Sequence, residues 1–133
     1  MTTTTQTRDP QTKSLDKNET RSMIASDKVE GTAVFDSRGE KLGTTRKVMI
    51  GKHDGQVRYV VMGFGGLFGM GEDNYPVPWD SLDYDTKLDG YKMKSLTKDD
   101  LGKNKAPSFG RNEDPNWSED YDRSIRLYYF RTA

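Results

Sequence analysis

The chain has 133 residues, 32% hydrophobic and 32% charged, which suits one small domain with a modest core and polar tails. Lys+Arg and Asp+Glu each number 21, so formal neutrality gives no overall pull toward phosphate or anionic lipid. Cysteine is absent, which excludes disulfides, thiolate catalysis and cysteine-based zinc or iron–sulfur sites.

The first residues, Met-Thr-Thr-Thr-Thr-Gln-Thr-Arg-Asp-Pro, lack the apolar stretch of a secretory signal. Nowhere do the roughly 18 consecutive apolar residues of a spanning helix occur, so a cytoplasmic protein without membrane insertion is expected. Residues 1–22 are rich in Thr, Asp, Lys and Asn, with Leu15 almost the only large apolar side chain. Such a segment cannot bury enough surface to offset its ordering entropy, so it reads as a disordered tail. The ordered domain is expected over 23–103, with 104–133 as an extension that packs on it or on a second subunit.

Val29–Asp36 reads as a first strand, closed by a Ser37-Arg38-Gly39-Glu40 turn whose glycine suits positive φ. Lys41–Gly51 forms the second, with imperfect alternation that implies a bulge or bend near Gly43. Asp54-Gly55 supplies a hairpin turn, and Gln56–Phe64 follows as the strongest strand, apolar on both faces at its far end and therefore central. A glycine-dense corner spans Gly65 to Gly71, with Leu67, Phe68 and Met70 at its tip.

Asn74–Pro78 is a short extended piece; Pro76 and Pro78 donate no ladder hydrogen bond, which confines it to an edge or a corner. Trp79-Asp80-Ser81-Leu82 reads as a tight turn whose indole closes one end of the core. Leu82–Thr86 and Tyr91–Leu96 make a second hairpin, and Thr97 opens a short capped helix at Thr-Lys-Asp-Asp-Leu. Ala106–Trp117 is irregular. Ser118–Phe130 carries helical signals: Ser118 as N-cap, acids in the first turn, and Tyr121, Ile125 and Tyr128/Tyr129 spaced along one face.

Taken together, Val29–Asp36, Gly39-Glu40-Lys41-Leu42-Gly43, Gly55 to Val61, Gly65-Gly66-Leu67-Phe68-Gly69-Met70-Gly71 and Pro76-Val77-Pro78-Trp79 resemble the PRC-barrel family in order and spacing. Ala25-Ser26-Asp27-Lys28-Val29-Glu30-Gly31 and Tyr128-Tyr129 are similar to its stand-alone bacterial members. The resemblance implies a mainly β fold, a small, strongly bent antiparallel barrel of about six strands, with a short helix after it and a helical or irregular C-terminal extension. Similar domains occur in the photosynthetic reaction centre and in a ribosomal-RNA maturation factor, both in adaptor or assembly roles. The family has no catalytic residue to carry across.

The residues themselves point the same way. The glycine cluster lacks the Gly-Lys-Ser/Thr of a phosphate loop and the spacing of a dinucleotide fingerprint. His53, the one histidine, sits in a turn without convergent partners, and the acidic runs lack the ligand ladder of a calcium loop. No catalytic residue, cofactor or metal site is expected. Leu67, Phe68, Met70, Tyr128, Tyr129 and Phe130 are the candidate partner-binding residues. The resulting expectation is a non-enzymatic interaction module that self-associates as a homodimer. Arg46, Lys47 and Arg58 beside Tyr59 support an alternative, a ribosome-associated RNA-contacting face, with cross-strand pairing to acids as its competitor. By similarity to the photosynthetic reaction-centre domain, a third reading is an accessory of a membrane photosynthetic or electron-transfer complex.

Overall fold

The computed structural model describes residues 22–64, 73–102 and 105–130. The expected N-terminal tail and the Leu67/Phe68/Met70 corner lie outside the described residues. Six strands form one sheet: β1 (Ala33–Phe35), β2 (Lys41–Ile50), β3 (Val57–Phe64), β4 (Asp73–Pro78), β5 (Leu82–Asp85) and β6 (Gly90–Met93). Their order is β4-β3-β2-β1-β6-β5. Helix α1 (Ser26–Val29) precedes the sheet and helix α2 (Glu119–Phe130) follows it, with 3-10 turns at Trp79–Ser81 and Lys98–Leu101.

The order of strands makes the sheet curl. In a flat six-stranded sheet, five steps of about 4.8 Å would hold the outer strands about 24 Å apart. Here the outer strands β4 and β5 are joined by three residues, Trp79–Ser81. The chain from Pro78 to Leu82 reaches at most about 14 Å. The two edges must therefore bend toward each other, and the result is a strongly curled half-barrel with Val34, Val60, Met62, Val77 and Met93 buried inside it.

Bulges supply the bending. Leu42 is the extra residue opposite β1, where Val34 pairs Gly43 and Phe35 pairs Lys41. Along β2–β3, Arg46 and Arg58 are each the extra residue at a register shift. Gly43 and Gly63 cross at the bend so closely that a Cβ on Gly43 would fall inside the Gly63 carbonyl oxygen. The bulge expected near Gly43 is thus present, and the backbone contact with β3 explains why the residue is glycine.

Two details depart from the sequence reading. Val29–Thr32 is not strand: Ser26–Val29 forms a helical turn that buries Val29, and β1 begins at Ala33. The sheet is antiparallel except at β1–β6, which run parallel, Val34 opposite Tyr91. The chain leaves β1, completes the curl through β2 to β5, and returns beside β1 in the same direction. Elsewhere the correspondence is close: β3 lies centrally between β2 and β4, proline-bearing β4 is an outer strand, and Gly39 has φ 85° in its turn.

One buried carboxylate ties the first turn to the last. Asp36 is fully buried. Its Oδ1 accepts the N–H groups of Arg38 at 2.9 Å and Glu40 at 2.8 Å, and its Oδ2 accepts the Lys98 N–H at 2.9 Å. Burial alone would raise its pKa; the three N–H donors and the Arg38 charge outweigh it and hold the carboxyl below its usual value. Next to this junction Thr97 and Asp100 form a capping box, Thr97 N–H donating to Asp100 Oδ2 at 2.8 Å. No helix among the described residues is long and apolar enough to cross a membrane.

Candidate functional site

The C-terminal helix stands out because one face is consumed by the barrel and the other is not. Ser118 caps it, accepting the Tyr121 N–H at 3.2 Å, and acids at 119, 120 and 122 favour the positive end of its dipole. Ile125 and Tyr129 are four residues apart, so they share one stripe, and both are buried in the barrel core. Tyr121 and Tyr128 flank them, half-buried against the same core. The segment before the helix covers the outer edge of β4: Asn74 and Phe109 exchange backbone hydrogen bonds at 2.8 and 2.9 Å, and the Asn74 amide reaches the Gly110 carbonyl at 3.2 Å. Trp117 joins helix to sheet, its ring 5.5 Å from Tyr59 and 5.6 Å from Tyr121.

Polar contacts fix the seating. The Tyr128 hydroxyl donates a short hydrogen bond to the Asp100 carbonyl, and Arg126 pairs with Asp80, at 2.9 Å to Oδ2. That pair lowers the Asp80 pKa, chiefly through the guanidinium hydrogen bond, and raises that of Arg126. Both groups are partly exposed, so the pair orients more than it stabilises. The Tyr59, Tyr121 and Tyr129 hydroxyls are buried without a hydrogen-bond partner among the described residues. Burial, with neighbouring tyrosines adding to it, pushes the Tyr129 hydroxyl far above its ordinary range, so it stays neutral.

These contacts separate two adjacent tyrosines by an observable. Tyr128→Phe removes a made hydrogen bond and is expected to cost about 0.5–1.5 kcal/mol. Tyr129→Phe removes a buried hydroxyl that makes none, and is expected to be neutral or stabilising by up to about 1 kcal/mol. Urea unfolding of the two variants checks this; a larger loss at Tyr129 than at Tyr128 would contradict the assignment.

The outward face of α2 carries Glu119, Asp122, Arg123, Arg126, Leu127 and Phe130 around an open groove. Leu127 is 63% exposed and Phe130 42%, large values for such side chains on a helix. The Arg126 guanidinium lies 4.9 Å over the Phe130 ring, and Arg123 pairs with Asp120 at 2.8 Å. Of the three terminal aromatics picked out in the sequence, Tyr129 therefore belongs to the protein's own core and Tyr128 is held half-buried by Asp100. Phe130 alone faces outward, and Leu127 joins it. Sequence reading passes over Leu127 because it sits among charged residues; its signal is an apolar side chain on the face opposite Ile125.

The other candidates are dispersed. Lys47 Nζ lies 3.0 Å from Asp114, and Arg58 2.7 Å from Asp54 in its own hairpin. The Arg46 guanidinium lies over Gly63, inside the bulge. Lys47 pairs with an acid of the C-terminal segment and Arg58 with one in its own turn, so the two cations are spent separately rather than shared on one face. Among the described residues no group of three or more His, Asp or Glu side chains is placed to hold a metal ion.

Comparison with known proteins adds two findings. A family model described as PRC-barrel domain matches residues 22–100, more than half of the chain. The chain is also 32% identical over 71 residues to an uncharacterized protein of Deinococcus radiodurans, a match covering 53% of this chain and 24% of that protein. It thus spans about a quarter of the length of the curated relative it matches.

Proposed function

This chain belongs to the PRC-barrel family, and from that premise we propose that it is a non-enzymatic interaction module that associates with a second copy of itself. PRC-barrel domains are generally non-catalytic. The observation that carries the reading is the two-sidedness of α2: Ile125 and Tyr129 complete the barrel core, while Leu127 and Phe130 are left to solvent. A helix needed only to finish the core would present polar residues on its far side. Exposed large apolar side chains with a charged border mark a surface made for contact.

The test is sedimentation of the intact chain over a wide concentration range. A mass rising from one chain toward two is the expected result. A single-chain mass throughout would end the self-association reading. The RNA-contacting alternative rests on Arg46, Lys47 and Arg58, two of which already hold carboxylate partners. It predicts RNA affinity that falls steeply with salt.

A further inference from the structure

Resting on that reading, we infer that two copies join through the outward faces of α2, packed antiparallel. The charge order along the helix selects the partner and its direction. Acids occupy 119, 120 and 122, and arginines occupy 123 and 126. A parallel pair would set like charges side by side; an antiparallel pair sets each acidic half against a basic half. One register satisfies both ends: placing Glu119 opposite the partner's Arg126 also places Asp122 opposite the partner's Arg123. Two-fold symmetry repeats both pairings, giving four complementary contacts from one alignment.

In the single chain Arg123 pairs with Asp120 and Arg126 with Asp80, yet each guanidinium keeps N–H donors beyond those contacts. Glu119 makes no ion pair among the described residues. The Arg126 guanidinium has five N–H donors, more than its contact with Asp80 uses. In this register Leu127 lies opposite the partner's Ser118, and Phe130 reaches past the start of the partner's helix toward the partner's Pro115. In the single chain Pro115 and Trp117 are only partly covered, so apolar surface is present there to receive both side chains. A 12-residue helix is only about 18 Å long, so the contact lies at the small end of specific interfaces and should be weak and concentration-dependent.

The experiment is a charge swap read by sedimentation, with circular dichroism confirming that each variant folds. Asp122→Arg alone faces arginine with arginine, and Arg123→Asp alone faces acid with acid. Each should weaken dimerisation at least about tenfold. The double variant D122R/R123D restores opposite charges and should return the affinity to within about threefold of the original. Both positions are solvent-exposed, so neither single change disturbs the core. A dimer indifferent to the single changes would place association on another surface, leaving the interaction reading intact but overturning this one. Single changes that weaken binding without rescue by the double would overturn the antiparallel register. An intact chain that never dimerises would remove both.

Discussion

Asp36→Ala is expected to lower the unfolding free energy by about 2–4 kcal/mol, because it removes a buried carboxylate that accepts three part-buried N–H groups at once. The Arg38, Glu40 and Lys98 amides all point at this carboxylate. Against the roughly 5–15 kcal/mol of a typical domain, the loss takes a large share of the total. It also separates parts of the fold distant in sequence, since the Lys98 bond joins the β1–β2 turn to the turn after β6. Asp36→Asn should be milder. It keeps one accepting oxygen for the first turn but sets an NH2 group against the Lys98 N–H.

The pH dependence follows from the direction of the shift. The folded carboxyl has its pKa below the ordinary 3.8, so the folded state favours the charged form. Its stabilisation is fully present above the unfolded value and is lost as pH falls through the folded one. The gap between the parent and the Ala variant should therefore stay constant from neutral pH down to about 4 and close below it. Urea unfolding at pH 7, 4 and 2.5 measures it. A gap that widens in acid would contradict the assignment of Asp36 as an ionised buried acceptor.

Gly43→Ala is the second large effect, about 3 kcal/mol or more of destabilisation, with loss of a single native state the extreme outcome. The new methyl would overlap the Gly63 carbonyl oxygen, a backbone atom locked in the β2–β3 ladder. Gly63→Ala is the internal control. Its Cβ would meet the Arg46 guanidinium instead, the end of a flexible side chain that can swing away. The cost there should stay within about 1 kcal/mol, since the alanine also restricts the unfolded chain. Equal effects at the two glycines would mean that the crossing of β2 and β3 is not what bends the sheet.

The strands are legible in the sequence because alternation, Asp-Gly and proline placement are local signals. Val57–Phe64, Asp73–Pro78 and the capped turn at Thr97 fall within a residue of where those signals put them. The helix is legible for the same reason, Ser118 and the Tyr121/Ile125/Tyr129 spacing being visible in twelve residues. What the sequence hides depends on contacts across many positions. The Asx-type turn at Asp36-Ser37-Arg38-Gly39 can be read locally, whereas its third donor lies 62 residues away. The parallel β1–β6 pairing is likewise a product of the whole curl. The start of β1 departs from expectation because Val29-Glu30-Gly31-Thr32 has strand-like composition, yet the Lys28 and Val29 N–H bonds to the Ala25 carbonyl close a helical turn through Val29, and the Thr32 N–H bonds back to the Val29 carbonyl, so the strand starts only at Ala33. At the candidate surface, the aromatic run at 128–130 draws attention to the right helix but not to its outward face. That depends on which side Ile125 and Tyr129 choose to bury.

The most direct test of the proposed dimer is a spin-label distance across the self-associated protein. The chain has no cysteine, so Ser124→Cys creates a single attachment point on an exposed position of α2. Antiparallel helices pack about 8–10 Å apart, which in the register given above brings the two labels to within roughly 25 Å of each other. A short, well-defined distance that disappears in the Asp122→Arg variant is the predicted result. A dimer whose labels are far apart, or a distance unchanged by that substitution, would contradict it.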